Sequence, residues 1–267
     1  MDALKTLKVT FGFDSFRKGQ DEVISRILSG QSAAAIFPTG AGKSLCYQLP
    51  AILLPGLTIV VSPLLSLMHD QLTFLKSKGI SAAALDSTLT REEYASVLES
   101  AVHGSLKILM ISVERFRNER FRTHLSRMNV SLLVVDEAHC ISEWGHNFRP
   151  EYLKIPHYRN DFKIPQVLLL TATATEKVAN DMCEKLNISA ENLVRTGFYR
   201  KNLRIQVTTV SDNKKIDLLI HRIKQNPAAP TIVYVTVQQT AEEVAASLVN
   251  AGIAAEAYHA GMDSDLR

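Results

Sequence analysis

Phe37-Pro38-Thr39-Gly40-Ala41-Gly42-Lys43-Ser44 decides how the rest of this 267-residue chain is read. The apolar run Ala33-Ala34-Ala35-Ile36 precedes it and Leu45-Cys46-Tyr47-Gln48-Leu49 follows, giving strand, glycine loop and helix in that order. Glycines at 40 and 42 let the backbone curl until several N–H groups converge on one concavity. The helix N-terminus adds the positive end of its dipole, and the product is a cradle for phosphate. Lys43 is spaced to reach the outer phosphates, and the Ser44 hydroxyl to ligate Mg²⁺. The strict pattern for such a loop has glycine where this chain has Phe37. What survives is Pro-Thr-Gly-x-Gly-Lys-Ser, and the plain alternative is a glycine-rich turn with a solvated lysine.

Outward from the loop, β-rich apolar runs recur at 33–37, 57–61, 107–111, 131–135 and 167–170. Helical patterns lie between them, including 66–77 and 91–102, the latter opened by a Thr90-x-x-Glu93 capping box. Residues 1–31 read as helical, with Gly30 as the stop. Near-continuous apolar strands alternating with helices predict an α/β fold, a parallel sheet covered on both faces. The run Leu132-Leu133-Val134-Val135 ends in Asp136-Glu137-Ala138-His139. A carboxylate at the C-terminal end of a parallel strand faces the crevice where such sheets bind ligands. In that position Asp136 would hold Mg²⁺ through water, and Glu137 would orient and deprotonate an attacking water. An Asp-Glu pair can also cap a helix, but paired with Gly-Lys-Ser it predicts an ATPase with Lys43, Asp136 and Glu137 as its catalytic set. Thr39, Gly40, Ala41, Gly42, Lys43 and Ser44 would hold the phosphates, and Ser44 and Asp136 the metal.

The totals set limits. Lysine and arginine exceed aspartate and glutamate by 30 to 27, so any nucleic-acid site must be a local patch. No apolar run nears the roughly 18 residues of a membrane span, and Met1-Asp2-Ala3-Leu4-Lys5 lacks the order of a signal peptide. Cys46, Cys140 and Cys183 are scattered, without metal-ligand spacing. The chain is expected to be cytoplasmic.

Four further stretches carry a resemblance. Phe11-Gly12-Phe13-Asp14-Ser15-Phe16-Arg17-Lys18-Gly19-Gln20, Val60-Val61-Ser62-Pro63-Leu64-Leu65-Ser66-Leu67-Met68-His69-Asp70-Gln71, Cys140-Ile141-Ser142-Glu143-Trp144-Gly145-His146-Asn147-Phe148-Arg149-Pro150-Glu151-Tyr152 and Leu170-Thr171-Ala172-Thr173-Ala174-Thr175 follow the order of the RecQ family of DNA helicases in superfamily 2. Ile232-Val233-Tyr234-Val235 and Ala257-Tyr258-His259-Ala260-Gly261-Met262 extend the likeness over essentially the whole chain.

The resemblance implies ATP and Mg²⁺ as cofactors. It also implies single-stranded and forked DNA as partners and 3′→5′ travel. In the first stretch Phe13 and Arg17 would sandwich adenine and the Gln20 amide would read its edge; the family more often has tyrosine at Phe13. By likeness Ser62, Thr171 and Thr173 would line the DNA path. His139, Trp144, His146, Phe148 and Arg149 would couple DNA binding to hydrolysis, aromatic faces stacking on bases for roughly 1–3 kcal/mol each. Tyr152 reads as packing, Thr175 as a helix cap, His69 as a surface residue, and Arg115, Arg117, Arg120 and Arg122 as a solvated face. Val113 and Val235-Thr236-Val237-Gln238 depart from the family pattern.

The implied architecture is a RecA-like ATP-binding domain over 1–196, a linker over 197–203 and an incomplete second RecA-like lobe over 204–267. Strands are expected there at 204–210, 231–235 and 254–258. Since the family's last two motifs are not in the sequence, the chain is expected to bind nucleotide, turn it over slowly and not unwind duplex. The competing expectations are an RNA-remodelling helicase and a non-catalytic nucleic-acid-binding module with ATP as a structural ligand.

Overall fold

In the computed structural model, which describes residues 2–145, 149–197 and 202–262, the apolar runs of the first part become strands. They are β1 (Ala33–Ile36), β2 (Leu57–Val61), β3 (Ala82–Leu85), β4 (Ile108–Ile111), β5 (Val130–Val135), β6 (Gln166–Thr171) and β7 (Leu193–Arg195). All pair in parallel, in the order β3-β4-β2-β5-β6-β1-β7. The helices of this part are α1 (Ala3–Thr6, running on as a wider coil to Phe11), α2 (Gln20–Leu28), α3 (Leu45–Leu53), α4 (Leu65–Ser77), α5 (Arg91–Val102), α6 (Glu119–Leu125), α7 (Ile155–Asp161) and α8 (Glu176–Lys185).

The strands are apolar at nearly every position because both faces of the sheet are covered. Ile36, Ile59, Val61, Leu133 and Val135 face a core built with α5 to α8. Ala33, Ala35, Val60, Leu132 and Leu168 face the other core, with α2, α3 and α4. Alternating side chains along each strand divide the two cores. The expected parallel α/β sheet is therefore present.

Local signals act as their chemistry requires. Thr90 and Glu93 form the reciprocal capping box of α5, and the Thr175 hydroxyl accepts from the Val178 N–H at the start of α8. At the end of α2 the Gly30 N–H donates to the Ile27 carbonyl and the Gln31 N–H to Arg26, a Schellman closure. The helix expected over 1–31 is broken between Gly12 and Gly19, where Arg17 and Gln20 are drawn onto the phosphate loop instead. The four arginines after β4 serve the fold. Arg115 donates to the Leu85 carbonyl and, with Arg120, lies over the Tyr94 ring; Arg117 pairs with Glu151, and Arg122 covers Phe162.

Arg159 on α7 fastens three segments at once. It donates to Leu186 carbonyl at 2.7 Å, to Ser32 Oγ and Pro165 carbonyl at 3.2 Å each, and to Ile164 carbonyl at 3.4 Å. A lysine carries the charge but not the planar fork. Arg159→Lys should therefore cost about 2 kcal/mol of stability, read by denaturant unfolding; an unchanged midpoint would contradict this account.

By contact, the chain divides into Met1–Tyr199 and Arg200–Arg267. The second unit holds α9 (Lys215–Gln225) and α10 (Gln238–Asn250). The strands expected at 204–210, 231–235 and 254–258 are not formed. Among the described residues no backbone hydrogen bond joins these runs, and Ile205, Val207 and Tyr234 are 88, 93 and 90% exposed. β-branched composition favours a pleated, half-buried surface, and without a neighbouring ladder there is no such surface to join.

Candidate active site

The sheet order places β2, β5, β6 and β1 side by side, so Ser62, Asp136, Thr171 and Phe37 emerge along one C-terminal edge. Ladder hydrogen bonds hold them there: Asp136 N–H to Val61 carbonyl at 2.8 Å, and Phe37 N–H to Thr171 carbonyl at 3.1 Å. This edge is where parallel sheets take ligands.

The Phe37 ring, in the place of the pattern's glycine, is fully buried in the α2–α4 core and leaves the cradle to backbone. Gly40 and Gly42 have φ of 82° and 79°. The left-handed backbone strains any larger residue at Gly42, where a Cβ would also stand 2.6 Å from Gln20 Nε2 and displace that amide. Buried Gln20 clamps the loop: its Nε2 donates to Gly42 carbonyl at 2.9 Å and Ala41 carbonyl at 3.3 Å, while its Oε1 accepts from Arg17 N–H at 2.8 Å. Arg17 Nη1 donates to Gly40 carbonyl at 2.6 Å. Lys43 Nζ donates to Phe37 carbonyl at 3.1 Å, across the mouth of the loop. Thr39 and Gly40 are exposed, Ala41 and Ser44 half-buried, and Phe13 keeps 48% of its surface open beside Arg17 in the chain.

Facing the loop's lysine is the acidic pair. Burial, then the neighbouring Glu137 charge, pushes the Asp136 carboxyl up to about 6, against the opposing pull of Lys43 and His139. A partly buried carboxylate in this condition is stabilised by a cation. Ser44 with Asp136 offers hard oxygen donors and suits Mg²⁺, which keeps most of its shell as water and phosphate oxygen.

Glu137 adopts the left-handed conformation (φ 49°), and its N–H donates to Asp136 Oδ1 at 3.0 Å. A non-glycine residue bears a small strain to sit there, as Lys163 and Asn187 also do at helix ends. Glu137 Oε2 lies 3.2 Å from His139 Nδ1, which also lies 2.8 Å from Thr171 Oγ1. The Thr171 hydroxyl donates to Thr173 carbonyl at 3.1 Å, so it accepts from the histidine and Nδ1 carries the proton.

Hydrogen bonds to Cys140 and Glu137 outweigh burial and hold the His139 pKa up to about 9. The folded-state pKa is raised above the ordinary value near 6.5, so the stabilisation is complete below pH about 6.5 and lost as pH rises through about 9. Thermal melts from pH 6 to 10 should show this alkaline loss in the wild type and a flatter profile in His139→Gln. Parallel profiles would remove His139 as its source.

The loop after the acidic pair folds back on itself. Trp144 N–H donates to Ser142 Oγ at 3.3 Å and Gly145 N–H to Ser142 carbonyl at 2.9 Å; a Cβ at Gly145 would stand 2.4 Å from the His139 carbonyl. Trp144 is 63% exposed, and Lys177 Nζ sits 3.0 Å from its ring centroid. Arg149 is exposed and Tyr152 fully buried in the core. His146 and Phe148 lie outside the described residues. Thr173 is exposed, whereas Ser62 is buried, its N–H donating to Ile111 carbonyl. Lys177 escaped the motif reading, and Gly145, though within the quoted loop, was given no role there. The i, i+4, i+8 set Lys177, Asp181 and Lys185 on α8 was the available signal for the former.

Comparison with known proteins follows this geometry. Over 265 residues the chain is 40% identical to the ATP-dependent DNA helicase RecQ of Haemophilus influenzae, covering 99% of this chain and 42% of that protein. It is 43% identical to the probable ATP-dependent DNA helicase RecS of Bacillus subtilis, covering 97% and 52%. The chain thus spans about half the length of these curated relatives or less, and the expected likeness to RecQ helicases is borne out by them. In fold it is similar to the Mycobacterium smegmatis helicase Lhr, solved bound to ssDNA and AMP-PNP, with a TM-score of 0.71 and 17% identity over 100% of this chain and 39% of that one. The DEAD/DEAH box helicase model matches residues 17–182, from Arg17 through the phosphate loop and the acidic pair into α8, and the chain belongs to that family.

Proposed function

We propose that the chain is the nucleotide-binding part of a RecQ-type DNA helicase that couples ATP hydrolysis to 3′→5′ movement on single-stranded DNA, forked DNA included. Residues 1–196 form the first RecA-like domain in this reading, 197–203 the linker and 204–267 the beginning of a second. Thr39 to Ser44 receive the phosphates, Lys43 neutralises the outer ones, and Ser44 with Asp136 holds Mg²⁺. The metal, when bound, supplies charge neutralisation for the transferring phosphoryl group. Glu137 takes the proton of the attacking water, and protonated His139 fixes the carboxylate's orientation. Phe13 and Arg17 flank the base, while the Gln20 amide, expected at its edge, is buried on the Gly42 and Ala41 carbonyls and holds the loop beneath the phosphates. Thr173, Trp144, His146, Phe148 and Arg149 contact the strand; Ser62 and Thr171, expected to line its path, are buried at the strand ends and support that surface from beneath.

One observation carries the coupling. His139 bridges the catalytic carboxylate and Thr171 in β6, and it stands at the root of the loop that bears Trp144. Displacement of that loop by a base is then felt at Glu137. The identity to RecQ proteins supports DNA as the polymer. The deciding experiment compares ATP turnover with single-stranded DNA and with RNA of the same sequence. Stimulation by DNA alone is expected. Stimulation by RNA alone would make this an RNA-remodelling enzyme, and turnover at background in both would leave a nucleotide-liganded binding module.

A further inference from the structure

Helix α8 does more than cover the sheet. Three residues one turn apart on it, Lys177, Asp181 and Lys185, each touch the loop that carries Trp144. Lys185 Nζ donates to Ile141 carbonyl at 3.5 Å and to Asp181 Oδ2 at 2.8 Å. Burial pushes the Asp181 carboxyl up, yet hydrogen bonds from Lys185 and the Ser142 hydroxyl hold it below the ordinary range. At the head of this line the Lys177 ammonium lies over the indole of Trp144, 3.0 Å from its centroid. Beside Trp144 and Gly145 opens a cavity of about 400 Å³, bordered also by His139 and Thr173 to Thr175, and Lys177 is not among its lining residues. The cation thus covers the ring while a space large enough for a nucleobase stays open next to it.

Building on the reading of Trp144 as a base-stacking residue, we propose that Lys177 is a positioning residue. Its ammonium backs the indole and holds the ring turned to the cavity, so that an incoming base of single-stranded DNA finds its stacking surface already set. A cation over an indole is worth enough, even at an exposed site, to restrict a side chain on a loop. Preorganisation of this kind raises affinity by removing the ordering cost from the binding step.

Trp144 is the chain's single tryptophan, so its fluorescence reports this ring alone. In the free protein, Lys177→Met should raise quenching by acrylamide and shift the emission, while Lys177→Arg, which keeps a cation on the ring, should retain wild-type values. Binding of oligothymidylate, extrapolated to 1 M salt to remove the counterion contribution, should weaken about 3-fold in Lys177→Met and recover in Lys177→Arg. Unchanged quenching in Lys177→Met overturns the proposal whatever the affinity does, because a lysine that serves only a phosphate would alter salt dependence alone. Raised quenching with unchanged or tighter binding overturns it too, since the cation would then be irrelevant to the base or compete with it. Trp144→Ala binding oligothymidylate as well as wild type would instead sink the stacking reading, and the quenching result would stand apart from that failure.

Discussion

Glu137→Gln is expected to lower ATP turnover by about 10²- to 10⁴-fold while leaving nucleotide affinity near that of the wild type. The amide keeps the size of the side chain and an oxygen that can still accept from His139 Nδ1, now 3.2 Å from the carboxylate. It cannot take a proton. Glutamine tolerates the left-handed backbone at this position no worse than glutamate, so the turn after β5 should survive. Phosphate release read alongside an equilibrium nucleotide titration separates the two effects. Turnover that does not change would remove Glu137 from the chemistry altogether.

Lys43→Ala should bring DNA-stimulated turnover to background, a loss of at least about 10²-fold, and weaken nucleotide binding in the same protein. Two consequences add. The loop loses the cation that now spans its mouth to the Phe37 carbonyl at 3.1 Å. Asp136 loses one of the charges that oppose burial, so its pKa climbs further above about 6 and cation binding shifts to higher pH. Nucleotide affinity measured from pH 6 to 9, with and without Mg²⁺, tests both parts. Wild-type turnover in Lys43→Ala would mean that the loop is not the phosphate site.

The reason so much of this was readable from sequence lies in the kind of sheet. A strand buried on both faces must be apolar throughout, and β1, β2, β4, β5 and β6 announce themselves that way. β3 escaped because, unlike β1 of like composition, it is not followed by a glycine-lysine loop that marks it, and β7 because it is three residues at the edge. The second unit misled in the opposite sense: its β-branched runs look like strands, yet they meet no neighbouring ladder among the described residues. In the proposed site, Lys43, Ser44, Asp136 and Glu137 stood out in the sequence because phosphate and metal chemistry would restrict residue type and spacing. The Gln20 clamp on Gly42 and the Lys177 contact with Trp144 depend on where separate elements meet. Residue type alone does not encode that.

The position of β1 has a consequence for how the molecule is made. Ala33 finds its ladder partner at Leu168 on one side, and Ala34 finds Leu193 on the other. On a ribosome the loop after β1 therefore emerges long before β6 and β7, the strands that anchor it. Until Thr171 follows, the run Ala33–Ile36 has no strand to join, and its apolar faces and open edge wait on a growing chain. Pairing over such sequence separation makes for slow folding. Translational pausing or proteolytic nicking before β6 should harm this site more than distance along the sequence suggests, because the strand that carries the loop is the one the sheet completes last.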